Sequence, residues 1–174
     1  MQGRRAVAIE EEVIRRCTER GVTVAVAESC TGGLIGSLLV DVPGSSKVFA
    51  GGVIAYHNRP KRDLLQVSEE ILRAQGAVSA ECVQAMAEGA RRALGTTLAV
   101  AESGIAGPTG GNAEKPAGTV YIGIATPEGA RVERFVFPGA RRAYKLQVAE
   151  AALRLIIDWL DASDVAAAKG EPGS

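Results

Sequence analysis

The sequence predicts an α/β fold, a three-layer α/β/α sandwich around a mixed, mostly parallel β-sheet. Three observations carry this reading. Short β-branched apolar runs alternate with longer stretches whose apolar residues recur at helical spacing. The pentapeptide AVAES occurs twice, at Ala25–Ser29 and Ala99–Ser103, each time closing such a run and leading into a glycine-rich turn. Two late β-like runs flank Pro127-Glu128-Gly129, a hairpin signal that adds antiparallel pairing to the alternating order.

Ala6, Ile9, Val13 and Cys17 recur at helical spacing, and Gly21 is a natural stop. Val22–Glu28 is a compact β-branched run with the look of a buried strand. Leu34–Val40 leaves the Cys30-Thr31-Gly32-Gly33 turn as a short helix closed by Pro43-Gly44. Val48–Tyr56 reads as a strand interrupted by Gly51-Gly52, where a bulge or close packing is expected. Asn58 is placed to cap a helix with Pro60 in its first turn, running through Leu65.

Ser68 before Glu69-Glu70 opens a short helix that ends at Gly76. Ser79 opens a longer one, with Val83, Met86, Ala87, Ala90 and Leu94 on a single stripe. Thr97–Glu102 is the second AVAES strand, and Gly118–Thr126 and Arg131–Phe137 form the hairpin. The last helix is expected over Ala140–Asp161, with Leu146, Ala149, Leu153, Ile156 or Ile157, and Leu160 facing inward. Trp159 lies near that stripe, where core packing or a subunit contact is expected. Residues 1–164 therefore read as one domain, and 165–174, ending in KGEPGS, as a disordered tail.

Composition bounds the function. The 174 residues carry 20 Lys and Arg against 20 Asp and Glu, for a formal charge of zero. That balance argues against nucleic-acid binding through a basic surface. Three cysteines, Cys17, Cys30 and Cys82, have no metal-like spacing and imply a reducing, cytoplasmic setting without disulfides. The N-terminus is charged too early for a signal peptide, and no apolar run approaches the ~20 residues of a membrane span. Neither a membrane nor a nucleic acid is expected as a partner.

In open α/β sheets, ligands sit outside the carboxyl ends of the strands. Two such ends with matching chemistry suggest one pocket floored by two loops. At the first, Ser29 stands between a buried strand and a helix N-terminus, where the N–H groups of Thr31, Gly32 and Gly33 would serve an oxyanion. The equal alternative is that Ser29 and Thr31 do no more than cap that helix. Cys30 is a rival nucleophile, although consecutive residues leaving a strand point to opposite sides, so one of the two should face the pocket.

Tyr56 ends a strand, and Lys61 falls in the first turn of the next helix, where the dipole disfavours a cation. An unperturbed lysine, with pKa ~10.4, needs about 4–5 kcal/mol to be neutral at pH 7, and burial, the dipole and Arg59 or Arg62 all push that way. A solvated basic helix face is the plain alternative. His57 is the chain's one histidine, so a serine–histidine–acid triad would have to recruit it, and a zinc site is not expected.

In the second loop, Ser103, Thr109 and the glycines from Gly104 to Gly111, among them Gly107, are suited to phosphate or ribose through side-chain hydroxyls and main-chain N–H groups. Arg141 and Arg142 open the last helix against its dipole, as an anion-binding pair or as surface residues. Glu102 adds a carboxylate beside this loop. Facing the pocket, it would repel a phosphate or alter the charge of Lys61.

Taken together, AESCTGG, PGSSKVFAGGVIAYHNRPKRDLL, GAVS, SGIAGPTGG…EKPAGTVYIGIA and FPGARR closely resemble the nicotinamide-nucleotide amidohydrolases, the C-terminal domain family of the CinA proteins, over about residues 5–160. The resemblance implies a stand-alone form of that domain, without the pyrophosphatase-like domain that precedes it in many relatives. It implies hydrolysis of the carboxamide of nicotinamide mononucleotide to nicotinic acid mononucleotide and ammonia, in pyridine nucleotide recycling, with no cofactor and no metal. Catalytic roles carry over to Ser29, Tyr56 and Lys61. Substrate binding falls to Cys30, Thr31, Gly32, Gly33, Ser103, Gly104, Gly107, Thr109 and Arg141. Association into a homo-oligomer, a dimer first, is expected. The alternative is a non-catalytic module that binds a pyridine nucleotide in a regulatory or competence-related role.

Overall fold

A computed structural model describes residues 7–168. Five strands, β1 (Val24–Glu28), β2 (Phe49–Ile54), β3 (Leu98–Gly104), β4 (Thr119–Thr126) and β5 (Gly129–Val136), form one sheet in the order β2-β1-β3-β4-β5. β1 pairs in parallel with β2 and β3, while β3–β4 and β4–β5 are antiparallel. The sheet is thus mixed, as its sequence implies, with β4 alone running against the others.

Among the described residues there are six α-helices: α1 (Ile9–Arg20), α2 (Leu34–Val40), α3 (Asn58–Asp63), α4 (Glu69–Ala74), α5 (Ala80–Leu94) and α6 (Arg141–Ala168). Alternation in β1 and β3 divides the core. Val24, Val26, Leu98 and Val100 pack with Val13, Ile35, Leu39, Val148 and Leu153 of α1, α2 and α6. Ala25, Ala27, Ala99 and Ala101 pack with Val83, Met86, Ala87 and Ala90 of α5. Small residues on one face admit α5 closely, and larger ones fill the other, which accounts for the recurring VAVA pattern.

The two AVAES copies are neighbours in register, with Ala25 opposite Ala99, Val26 opposite Val100 and Ala27 opposite Ala101. Both glutamates and both serines therefore emerge at the same end of adjacent strands. Gly52 allows this packing on the β2 side, because a Cβ there would strike the Val26 side chain. The Gly51-Gly52 pair sits beside an irregularity in the β1–β2 register, as a bulge signal should.

Local signals set most boundaries. Gly21 and Gly95 end α1 and α5 in the left-handed region. Ser68 and Ser79 cap α4 and α5 by accepting from the N–H groups of Ile71 and Cys82. Three expectations are corrected. The cap of α3 is His57, not Asn58, and its side chain accepts from Arg59 N–H. α6 continues through Ala168, so the first part of the expected tail, Val165–Ala168, is helical, while 169–174 lie outside the described residues. Leu146 is 48% exposed rather than inward, whereas Ala149, Leu153, Ile156, Ile157 and Leu160 are buried. No helix among the described residues is long and apolar enough to cross a membrane.

Candidate active site

The site starts where β1 runs out. Ala55 N–H donates to the Glu28 carbonyl at 2.7 Å, carrying the β1–β2 contact one residue past the end of β2. The chain turns outward at Tyr56-His57 and returns through α3, which brings Lys61 beneath the strand ends. Lys61 is 1% exposed. Its Nζ donates to the Ala55 carbonyl at 2.5 Å and to Ser29 Oγ at 3.0 Å. A solvated basic face does not describe this lysine; its neighbours Arg59 and Arg62 pair with Asp63 in solvent instead.

Burial is the main reason the Lys61 pKa lies below its usual value, and the fields of Cys82, Glu102 and Cys30 partly offset it. The dipole argument from sequence does not carry over, since α3 has six residues and Lys61 falls in its last turn. A buried amine held below its ordinary pKa, within hydrogen-bond distance of a serine hydroxyl, can take that hydroxyl's proton.

Two carboxylates hold the turn that follows. Glu28 accepts from the N–H groups of Gly33 (2.8 Å), Ile35 (3.1 Å) and Gly36 (2.8 Å), so the N-terminus of α2 already holds an anion supplied by the chain. Glu102 accepts from the N–H groups of Ser29 (2.6 Å), Cys30 (3.2 Å) and Thr31 (3.0 Å). The expected oxyanion donors at Thr31 and Gly33 therefore face carboxylates. Gly32 and Gly33 take φ of +65° and +101°, which lets the turn double back between the two acids.

Cys30 Sγ donates to Glu102 at 2.7 Å and lies 3.5 Å from Tyr144 Oη. Burial, followed by the charge of Glu102, pushes the thiol pKa well up. A protonated, hydrogen-bonded thiol is a poor rival to Ser29 as nucleophile. Ser29 and Cys30 both line the cavity, which the alternation argument did not anticipate.

That cavity, about 290 Å³, is lined by Ser29, Cys30, Tyr56, Lys61, Ser103, Gly104, Gly107, Thr109 and Arg141 among others. Of the remaining candidates, Thr31, Gly32 and Gly33 do not line it. Thr31 is fully buried with its hydroxyl between Glu28 and Glu102. Tyr56 stands at the rim, 63% exposed, and among the described residues its hydroxyl has no hydrogen-bond partner. Arg142 lines a neighbouring groove with Lys145 rather than the cavity. His57 caps α3, and among the described residues no hydrogen bond joins it to Ser29.

Glu102 is fully buried and outside the cavity lining, so its charge reaches Lys61 without facing a ligand. Asn58, Ala77 and Val78 also line the cavity. Their sequence signals, a helix start and the short GAVS segment, carried no chemistry by which to find them. Among the described residues, no group of three or more His, Cys, Asp or Glu side chains is placed to hold a metal ion.

Comparison with known proteins finds relatives of this chain. Residues 6–160 match the family model described as the CinA C-terminal domain. A "CinA-like protein" of Pseudothermotoga lettingae is 46% identical over 154 residues, covering 88% of this chain and 38% of the relative. One from Chlorobaculum tepidum is 51% identical over 153 residues, covering 85% and 36%. The chain thus spans little more than a third of the curated relatives it matches. Among solved structures, a CinA superfamily protein from Klebsiella pneumoniae superposes with a TM-score of 0.85 at 33% identity, over 88% of this chain and 96% of the other. A competence/damage-inducible protein from Agrobacterium tumefaciens gives 0.82 at 38% identity, over 89% and 97%.

Proposed function

The chain belongs to the CinA C-terminal domain family, and from that premise we propose that it hydrolyses the carboxamide of nicotinamide mononucleotide, giving nicotinic acid mononucleotide and ammonia. The observation that carries the reading is Lys61 Nζ, buried and 3.0 Å from Ser29 Oγ, at the floor of a cavity open to substrate.

Neutral Lys61 accepts the Ser29 proton as Oγ attacks the amide carbon. The C–O bond forms, and the carbonyl electrons move to oxygen. Because Glu28 and Glu102 occupy N–H groups of the first turn, the oxyanion is met from the second loop. There Ser103, Ala106 and Gly107 line the cavity, and among the described residues the Ser103 hydroxyl and the N–H groups of Ala106 and Gly107 have no hydrogen-bond partner. The Lys61 ammonium then returns its proton to the nitrogen as the C–N bond breaks and ammonia leaves. Water repeats the sequence on the acyl-enzyme, releasing the carboxylate and restoring Ser29. Arg141, at the cavity mouth, holds the phosphate and fixes the ring against the serine. Tyr56 meets the substrate at the rim.

The test is timed ammonia release by the purified protein. The wild type should release ammonia from nicotinamide mononucleotide far faster than from free nicotinamide, and Ser29→Ala should release none while remaining folded. Binding of the mononucleotide without ammonia release would leave a non-catalytic binding module instead. Glu102, which would repel a phosphate if it faced the pocket, faces the turn instead.

A further inference from the structure

We propose that Glu102 is a positioning residue for the Ser29 nucleophile, fixing the turn that carries it so that its hydroxyl meets Lys61 while the N–H groups of Ser29, Cys30 and Thr31 are held on Glu102. The inference rests on the amidase reading for the role of Ser29.

Five donors converge on this one side chain. Oε1 accepts from Ser29 N–H at 2.6 Å, from Thr31 N–H at 3.0 Å and from the Thr31 hydroxyl at 2.7 Å. Oε2 accepts from Cys30 N–H at 3.2 Å and from the Cys30 thiol at 2.7 Å. Three consecutive main-chain N–H groups aimed at one point form the kind of concavity that elsewhere binds a free anion. Here the anion belongs to the chain and is fully buried. It is also anchored, because Glu102 sits on β3, paired on one side with β1 and on the other with β4.

The consequence for Ser29 is geometric. Fixing the N–H groups of residues 29–31 fixes the backbone from which the Ser29 side chain departs, and so the line from Oγ to Lys61 Nζ. The bond to the Cys30 thiol keeps that proton in place and leaves one nucleophile in the cavity. Glu102 also has an electrostatic effect that a purely structural residue would lack. Lys61 is faced by Ser29 and Cys30 from the turn, Ala55 after β2, Cys82 from α5 and Glu102 from β3. Of these, Glu102 is the carboxylate, and its field favours the ammonium. Removing its charge should make Lys61 easier to deprotonate while loosening the serine it serves.

Glu102→Gln separates these effects. The amide keeps the shape but sets an NH2 group against donors. Amide hydrogen exchange by NMR should quicken at Ser29, Cys30 and Thr31 by on the order of tenfold or more, with the β4–β5 amides unchanged. In ammonia release, kcat should fall by on the order of tenfold or more with KM within about twofold, as for an interaction that orients rather than binds. The acid limb of the rate profile should move to lower pH. Unchanged exchange at the three amides, or an unchanged kcat in the folded variant, would overturn the proposal. The wild type gives a test that needs no variant, because rapid exchange at those amides in the native protein also overturns it. The exchange readout does not depend on turnover, so a wild type that releases no ammonia refutes the amidase reading separately.

Discussion

Glu28 and Glu102 close two copies of one pentapeptide and meet at a single hydroxyl: Thr31 Oγ1 lies 2.6 Å from a carboxylate oxygen of the first and 2.7 Å from one of the second. Both acids are buried, and each receives main-chain N–H groups from the same turn. The hydroxyl has one proton to give and donates it to one carboxylate at a time, with its oxygen held close against the other.

Thr31→Val tests that junction. The shape is nearly kept, and the donor is removed from between two buried acceptors. Unfolding in urea should show a loss of about 1–3 kcal/mol, the usual cost of leaving a buried polar group without its partner. Thr31→Ser should recover most of it. Equal midpoints for Thr31→Val and the wild type would show that the bridging proton contributes nothing.

Lys61 gives a prediction with a definite sign. Burial lowers its pKa in the folded protein below the ordinary 10.5. Between the two values, the unfolded chain binds more protons than the native one, so this group makes stability rise with pH across that window. Its favourable share is fully present above the unfolded value and is lost as pH falls through the folded one. Lys61→Met lacks the group and should be the more stable protein at neutral pH, with the difference shrinking as pH approaches about 10. Urea titrations of both proteins across that range read it directly. Activity should follow the same deprotonation, with kcat/KM rising through the folded Lys61 pKa, and Lys61→Met should be inactive at every pH.

Tyr56 and Lys61 carry equal weight in the family resemblance, but they occupy different surroundings in the structure. Lys61 touches Ser29, whereas Tyr56 is 63% exposed at the rim without a hydrogen bond among the described residues. Tyr56→Phe should therefore keep kcat within a factor of about ten, while Lys61→Met loses at least the ~10²–10⁴ typical of a missing general base. A Tyr56→Phe variant as impaired as Lys61→Met would instead put the tyrosine hydroxyl in the proton transfer.

Much of this architecture is legible in the sequence because local signals and packing agree. Gly21, Ser68 and Ser79 mark helix ends that tertiary contacts do not override. The alternating Val and Ala of both AVAES runs prescribe a two-sided strand, and Ser29 at the end of one is visible as a candidate from spacing. The partners of the turn N–H groups are not visible. Spacing shows that donors follow Ser29, but the acceptor Glu102 belongs to a strand that becomes a neighbour only when the sheet forms. For the same reason, Lys61 reads as a surface cation until Ala55 and Ser29 close over it. His57 displaces Asn58 as the cap because its ring nitrogen reaches Arg59 N–H from an extended backbone.

Gly104 links the two halves of the site sterically. It ends β3 directly after Ser103, and a Cβ built on it would strike Tyr144 Oη and lie 2.8 Å from both the Thr119 carbonyl oxygen and Val120 Cβ. Two of these three contacts are with β4 at or beside its backbone, so the tyrosine and the end of β3 must both shift. Tyr144 is fully buried, donates to the Thr119 carbonyl at 3.3 Å and lies 3.5 Å from Cys30 Sγ. Gly104→Ala should therefore cost about 1–3 kcal/mol, the usual range for overpacking a filled core. It should also shift the NMR signals of Cys30 across the site. Adding Tyr144→Phe removes the oxygen that the new methyl meets, so the double variant should regain part of the loss, giving a coupling energy of about 0.5 kcal/mol or more between two residues in contact. An unchanged urea midpoint for Gly104→Ala, or strictly additive losses in the double variant, would mean that the end of β3 relaxes away from Tyr144.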